Sequence, residues 1–329
     1  MKGINEAENV GGFEIRTDLA LEVNEQVSPA EGKLRGVIVR EESDSETGIK
    51  VTTLEITNKY GEKALGKPIG TYVTIEAEGL SDYDSDYSDR TARILADNIL
   101  KLISRDILDK KQCSILVAGL GNREVTADSL GPDVVENLCI NRHICKEYKN
   151  EDEDTVVTLA GVAPGVMAQT GMETAEIIKG IVLETKPDVV IAIDALAARN
   201  SRRLNTTIQL SDQGIHPGSG VGNHRVGITQ ETIGAPVLAI GVPTVIDAPT
   251  IVNDTMENFI KLLSEAKELK AVAGVLSEYS AQEKYQLVKE VIEPAMASMY
   301  VTPKDVDANI KVIGYTLSEA INLILQKKG

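Results

Sequence analysis

Four runs of apolar residues divide the middle of the chain, and segments with helical spacing lie between them. Continuous apolar strands that are separated by helices are typical of a parallel sheet covered by helices on both faces. We therefore predict an α/β fold in which a mostly parallel sheet is sandwiched by helices. The four runs are SILVAGLG (114–121), VVTLAGVAPG (156–165), DVVIAIDALAA (188–198) and APVLAIGVPT (235–244).

The chain before the first of these runs has a different pattern. Residues 71–79, TYVTIEAEG, alternate between apolar and polar side chains, which predicts a strand with one buried face. Stretches that favour turns, such as NKYGEK (58–63), separate the strand candidates. We expect a β-rich insertion over about residues 31–80 within one α/β domain.

The composition excludes several classes of protein. Lys and Arg number 34 against 50 Asp and Glu, for a net charge of −16, so we expect no nucleic-acid partner. No apolar run approaches the roughly 20 residues that cross a bilayer, and the N-terminus lacks the pattern of a signal peptide. The three cysteines form no CxxC pair and no zinc-binding spacing. These features predict a cytoplasmic protein without a membrane partner.

A glycine pair at the end of the first apolar run raises the question of a cofactor. Gly119 and Gly121 match half of a dinucleotide-binding fingerprint, but Glu124 occupies the place of its third glycine. No phosphate-binding GxxxxGK[ST] motif occurs in the chain. We expect no cofactor, while a bound metal stays open.

Two aspartates stand where ligand sites form in parallel sheets, near the carboxyl ends of strands. Asp194 interrupts the apolar run 188–198, and Asp128 lies in the loop after the run 114–121. Each has a purely structural alternative, because Asp128 could cap the next helix and Asp194 could brace loop amides. In one shared cleft, however, their pKa values would separate. The charged carboxylate could then take a proton from water while the protonated one polarises a carbonyl.

Basic residues and histidines near these strands are weaker candidates for a site. Arg199, Arg202 and Arg203 follow Asp194 and could either pair with local carboxylates or bind acidic side chains of a ligand. The glycine-rich stretch GIHPGSGVGNHRVG (214–227) contains two histidines, for which ordinary hydrogen bonding and metal ligation both stay open. They are His216 and His224.

The stretch RTDLALE (16–22) follows a polar leader with two adjacent glycines. It could be the first element of the fold or a segment meant to be cut. As a folded element it looks poor, because Leu19 and Leu21 are its only large apolar anchors.

Several long motifs of the chain resemble the germination protease of spore-forming bacteria. The resemblance runs nearly end to end and implies an endopeptidase that degrades small acid-soluble spore proteins during germination, in the forespore and spore core. It also implies a homotetramer with the fold of hydrogenase-maturation peptidases and purine phosphorylases. The motifs are GLGNREVTADSLGP, GVAPGVMAQTGMETAE, VVIAIDALAAR, GIHPGSGVGNHR and AIGVPTVIDAPT.

The resemblance further implies an inactive precursor that cleaves itself, with RTDLALE as the processing site. It places the cut between Asp18 and Leu19, which makes residues 1–18 a propeptide and residues 19–329 the catalytic domain. The two aspartates that it implies as essential fall on Asp128 and Asp194.

Three rival functions stay open on the sequence. A metal-assisted peptidase would hold nickel between both aspartates and a further residue. A non-enzymatic acidic protein would bind basic or DNA-coating partners. A nucleoside phosphorylase of the same fold would need a phosphate site, for which the sequence shows no convincing motif.

Overall fold

The computed structural model describes residues 19–27, 34–147, 156–218, 225–266 and 299–326, with isolated residues between 274 and 296. Over these residues, nine strands form one sheet in the order β1-β2-β3-β7-β8-β6-β4-β5, with β9 beside β8. The strands are β1 (Val37–Ser43), β2 (Lys50–Ile56), β3 (Gly70–Glu76), β4 (Gln112–Gly119), β5 (Val156–Val162), β6 (Val189–Ala198), β7 (Thr207–Ser211), β8 (Val237–Asp247) and β9 (Tyr300–Val301).

Helices accompany the sheet along the whole described chain. They are α1 (Ala20–Val27), α2 (Lys59–Leu65), α3 (Ser85–Leu102), α4 (Arg105–Leu108), α5 (Leu130–Glu136), α6 (Arg142–Glu147), α7 (Met167–Thr170), α8 (Thr174–Thr185), α9 (Gln230–Ile233), α10 (Ala248–Glu265) and α11 (Val306–Gln326). The predicted α/β class is confirmed.

The four predicted apolar runs form the parallel half of the sheet. Strands β5, β4, β6 and β8 pair in parallel, and successive side chains of β4 and β6 enter two different apolar cores. On one face these side chains pack with α3, α5 and α11, and on the other with α8 and α9. Because both faces are covered, the strands carry few polar positions, which is the pattern that predicted them.

The β-rich segment extends the same sheet with antiparallel strands. Strands β1, β2 and β3 pair antiparallel with one another, and β3 reaches the parallel half through β7. The sheet is therefore mixed, with the predicted parallel arrangement confined to four strands. The stretch NKYGEK, predicted as a turn, instead forms most of α2, since the Asn58 side chain accepts the N–H groups of Tyr60 and Gly61 at its N-terminus.

Part of the stretch RTDLALE lies among the described residues, and α1 begins within it at Ala20. The expectation that the stretch 16–22 would fold poorly is wrong for its second half. Leu19 is fully buried, and the Ala20 N–H donates to Gln209 Oε1 at 2.6 Å. Gln209 lies far from Ala20 in the sequence, so the local pattern gave no sign of this contact. Asp18 and the predicted leader 1–18 lie outside the described residues.

Candidate active site

Asp194 is a nearly buried acid in the centre of the sheet. It lies on β6 between β4 and β8, and its carboxylate Oδ1 accepts the N–H of Ala195 at 3.0 Å. Val190 and Ala192 belong to the core on the α8 face, so strand alternation places Asp194 on that face too. Burying a carboxylate costs free energy that polar contacts have to offset. An acid at this position in an apolar strand therefore points to a structural or catalytic role for its carboxyl group.

Asp128 lies in a short 3₁₀ turn, Thr126–Asp128, between β4 and α5. Its Oδ2 accepts the Asn122 N–H at 2.9 Å, and its backbone carbonyl accepts the same N–H at 3.0 Å. At the other side of the turn, the buried Thr244 hydroxyl donates to the Ala127 carbonyl at 2.6 Å. The turn is thus fixed both to the loop after β4 and to β8.

The glycine pair at the end of β4 has a packing role that explains its resemblance to a cofactor motif. Gly121 has a φ of +109°, and a Cβ there would overlap the carbonyl oxygen of Asp128. A Cβ on Gly119 would overlap the carbonyl of Gly131 in α5. The two glycines let the Asp128 turn and α5 approach the end of β4.

Burial changes the acidity of Asp128. Desolvation raises the pKa of its carboxyl from 3.8 to about 6, and the Asn122 hydrogen bond opposes that rise. Asp128 therefore holds a proton more readily than an exposed aspartate, as a general acid must near neutral pH.

Asp128 and Asp194 line one cavity of about 280 Å³. The structure thus brings together the two acids that the sequence singled out. Most of the wall is apolar and is formed by residues such as Leu120, Val125, Val166, Met167, Leu196 and Tyr300. Apolar walls exclude water and strengthen electrostatic interactions with a bound ligand.

The cavity also holds an ion pair that sequence reasoning missed. Arg225 Nη1 lies 4.0 Å from Glu173 Oε1 and 3.1 Å from Met167 Sδ, and all three residues line the cavity. The sequence did contain a signal for Arg225. It directly follows His224 in the glycine-rich stretch 214–227, which stands out in the sequence for its two histidines.

The three arginines after β6 do not line this cavity. Arg203 is buried and lies 3.5 Å from Glu22 and 3.4 Å from Glu76. It therefore pairs with carboxylates of the chain itself, which was the structural alternative to ligand binding. Binding of acidic ligands stays a prediction for Arg199 and Arg202 and gains no support at Arg203.

Of the two candidate histidines, the structure describes His216. His216 lines a separate cavity of about 90 Å³ beside Gln209, and His224 lies outside the described residues. Within the described ranges, no three His, Cys, Asp or Glu side chains converge as metal ligands do.

Across the described ranges, no helix has both the length and the apolar character that spanning a bilayer demands.

Comparisons with known proteins find relatives that align with nearly the whole chain. The model of the germination protease family matches residues 14–271 and 261–328. The germination protease of Caldanaerobacter subterraneus subsp. tengcongensis is 50% identical over 314 residues, which cover 95% of this chain and 94% of the relative. That of Bacillus subtilis (strain 168) is 38% identical, over 97% of this chain and 95% of the relative.

Among solved structures, the NiFe hydrogenase maturation protease HycI from Thermococcus kodakarensis KOD1 is 17% identical. The match covers 67% of this chain and 97% of that structure's chain, with a TM-score of 0.31. The family match and the full-length relatives decide the matter: the chain belongs to the germination protease family and is a peptidase.

Proposed function

We propose that the protein is an endopeptidase that begins the degradation of small acid-soluble spore proteins during germination, and that Asp128 and Asp194 activate the attacking water. The observation that carries this proposal is that Asp128 and Asp194 both line one largely apolar cavity. The relatives are named germination proteases, which supports a role for this protein during germination. The spore core and a homotetrameric assembly belong to the proposal as expectations from the family resemblance.

The two acids take different parts in this mechanism. Asp128, whose pKa burial raises to about 6, acts in its protonated form and donates a hydrogen bond to the scissile carbonyl oxygen. Asp194 acts as the base and accepts a proton as the water oxygen bonds to the carbonyl carbon. The C–N bond then breaks as the amine nitrogen receives that proton, and both carboxyl groups return to their starting states.

The proposal includes a precursor that cuts itself between Asp18 and Leu19. The similarity of RTDLALE to a substrate site supports this cut. Intact-mass analysis of the wild-type precursor beside Asp194→Asn tests it. A cut at another bond, or equal processing of both proteins, would contradict self-cleavage at this bond.

A gel of the protein mixed with a small acid-soluble spore protein tests the function itself. We expect fragments with the wild type and none with Asp194→Asn. Loss of activity in strong chelator would favour the metal-assisted alternative. Stable binding without fragments in the wild type would favour the acidic binding protein.

A further inference from the structure

Arg225 is the one Lys or Arg among the described residues that line the cavity of the two aspartates. Its side chain keeps 29% of its surface exposed, so it is neither fully buried nor free in solvent. The chain has a net charge of −16 and the cavity wall is mostly apolar, so a basic residue in that wall differs from both the chain as a whole and its immediate neighbours.

The partners that the structure gives Arg225 leave much of its binding capacity unused. A guanidinium group carries five N–H donors in a planar fork. The ion pair with Glu173 spans 4.0 Å, which exceeds hydrogen-bond length, and the other contact is to the weakly accepting sulfur of Met167. Both contacts involve Nη1.

We infer that Arg225 is a specificity residue, which binds the carboxylate of an acidic side chain in the substrate peptide. This inference rests on the proposed function. A substrate carboxylate could accept two parallel N–H bonds from the fork, which the distant Glu173 does not, and the apolar wall would strengthen them. Before substrate binds, the ion pair with Glu173 holds Arg225 in place. When the substrate carboxylate binds, Arg225 exchanges this weak ion pair for hydrogen bonds to that carboxylate.

Arg225 is better placed for this task than the arginines that the sequence suggested. Arg202 and Arg199 lie outside the cavity wall, whereas Arg225 shares that wall with Asp128 and Asp194. A peptide held over the two acids would therefore place a neighbouring side chain within the same cavity as the guanidinium.

A double-mutant cycle between enzyme and peptide tests the inference. The ligand is the peptide FEIRTDLALEVNEQV from residues 13–27, beside versions in which each of its four acids is neutralised singly by Asn or Gln. Affinity is measured by fluorescence anisotropy on the mature-length chain 19–329 carrying Asp194→Asn, so that the reading depends neither on self-processing nor on cleavage.

We expect one neutralisation to weaken binding about tenfold when Arg225 is present, and less than about twofold in Arg225→Gln. Glu173→Gln should tighten binding of the unmodified peptide, a change that a merely structural role of the pair would not produce. Arg202→Gln is the matched control and should leave the tenfold difference intact.

An unchanged difference in Arg225→Gln would overturn the inference, as would its loss in Arg202→Gln. The proposed function fails separately, through absence of peptide cleavage by the wild type. Because the binding cycle is read in a variant designed not to cleave, the two failures are distinguishable.

Discussion

Replacing Asp128 with asparagine should stabilise the folded protein at neutral pH while it removes peptidase activity. In the folded state, burial raises the pKa of this carboxyl from 3.8 to about 6, so ionising it costs free energy that the unfolded chain does not spend. Asparagine has no charge to desolvate, and its side-chain oxygen can still accept the Asn122 N–H. The substitution therefore removes the cost and keeps the contact.

The size of the effect follows from the two pKa values. Each tenfold change in proton affinity corresponds to about 1.4 kcal/mol, so the interval from 3.8 to about 6 sets an upper bound of about 3 kcal/mol. The carboxyl is only partly withdrawn from water, and we expect a gain of about 1–2 kcal/mol. Below the unfolded pKa both states are protonated and the gain vanishes, and above the folded pKa it is complete.

Urea unfolding followed by circular dichroism measures this gain at about pH 7.5 and about pH 4.5. Asp128→Asn should exceed the wild type in unfolding free energy at the higher pH, and most of the difference should be gone at the lower pH. Asp82→Asn, which neutralises an exposed acid, is the control for the general loss of one negative charge. A variant that is less stable than wild type at the higher pH, or equally stable at both, would refute the reasoning.

Three further substitutions test the parts that support the site. Thr244→Val removes the 2.6 Å hydrogen bond to the Asp128 turn and should lower kcat about tenfold with little change in KM; an unchanged kcat in steady-state assays would show that the bond does not position the acid. Gly121→Ala places a methyl group against the Asp128 carbonyl at a φ of +109°, so activity should fall at least about tenfold, and wild-type turnover would contradict that. Arg203→Met leaves the buried Glu22 without this ion pair and should cost about 3 kcal/mol in urea unfolding, whereas a loss below about 0.5 kcal/mol would mean that the pair contributes little.

The parallel half of the fold could be predicted because burial on both faces leaves a direct mark on the sequence. Each of the four apolar runs contains most of a strand, with ends that differ from the structure by a few residues. Strand β7 was missed, since TIQLS is short and places Thr207, Gln209 and Ser211 on a buried polar face. No local pattern distinguishes such a strand from a loop.

The candidate site was predictable to the extent that strand topology alone determines it. Asp128 and Asp194 could be paired from sequence because the carboxyl ends of parallel strands share one edge. The roles of the arginines depend on tertiary contacts instead. Arg203 meets Glu22 only because α1 docks against the sheet, and Arg225 enters the cavity wall from a loop whose path the sequence does not specify.

The most direct test of the account measures kcat for cleavage of a small acid-soluble spore protein by the wild type, Asp128→Asn, Asp194→Asn and the double variant. If the two acids act as one catalytic unit, each single substitution should lower kcat by about 10³-fold or more, and the double variant should be little worse than either. Circular dichroism spectra of each variant check that the fold is intact. Near-normal turnover in either single variant, or losses that multiply in the double variant, would contradict a shared mechanism of Asp128 and Asp194.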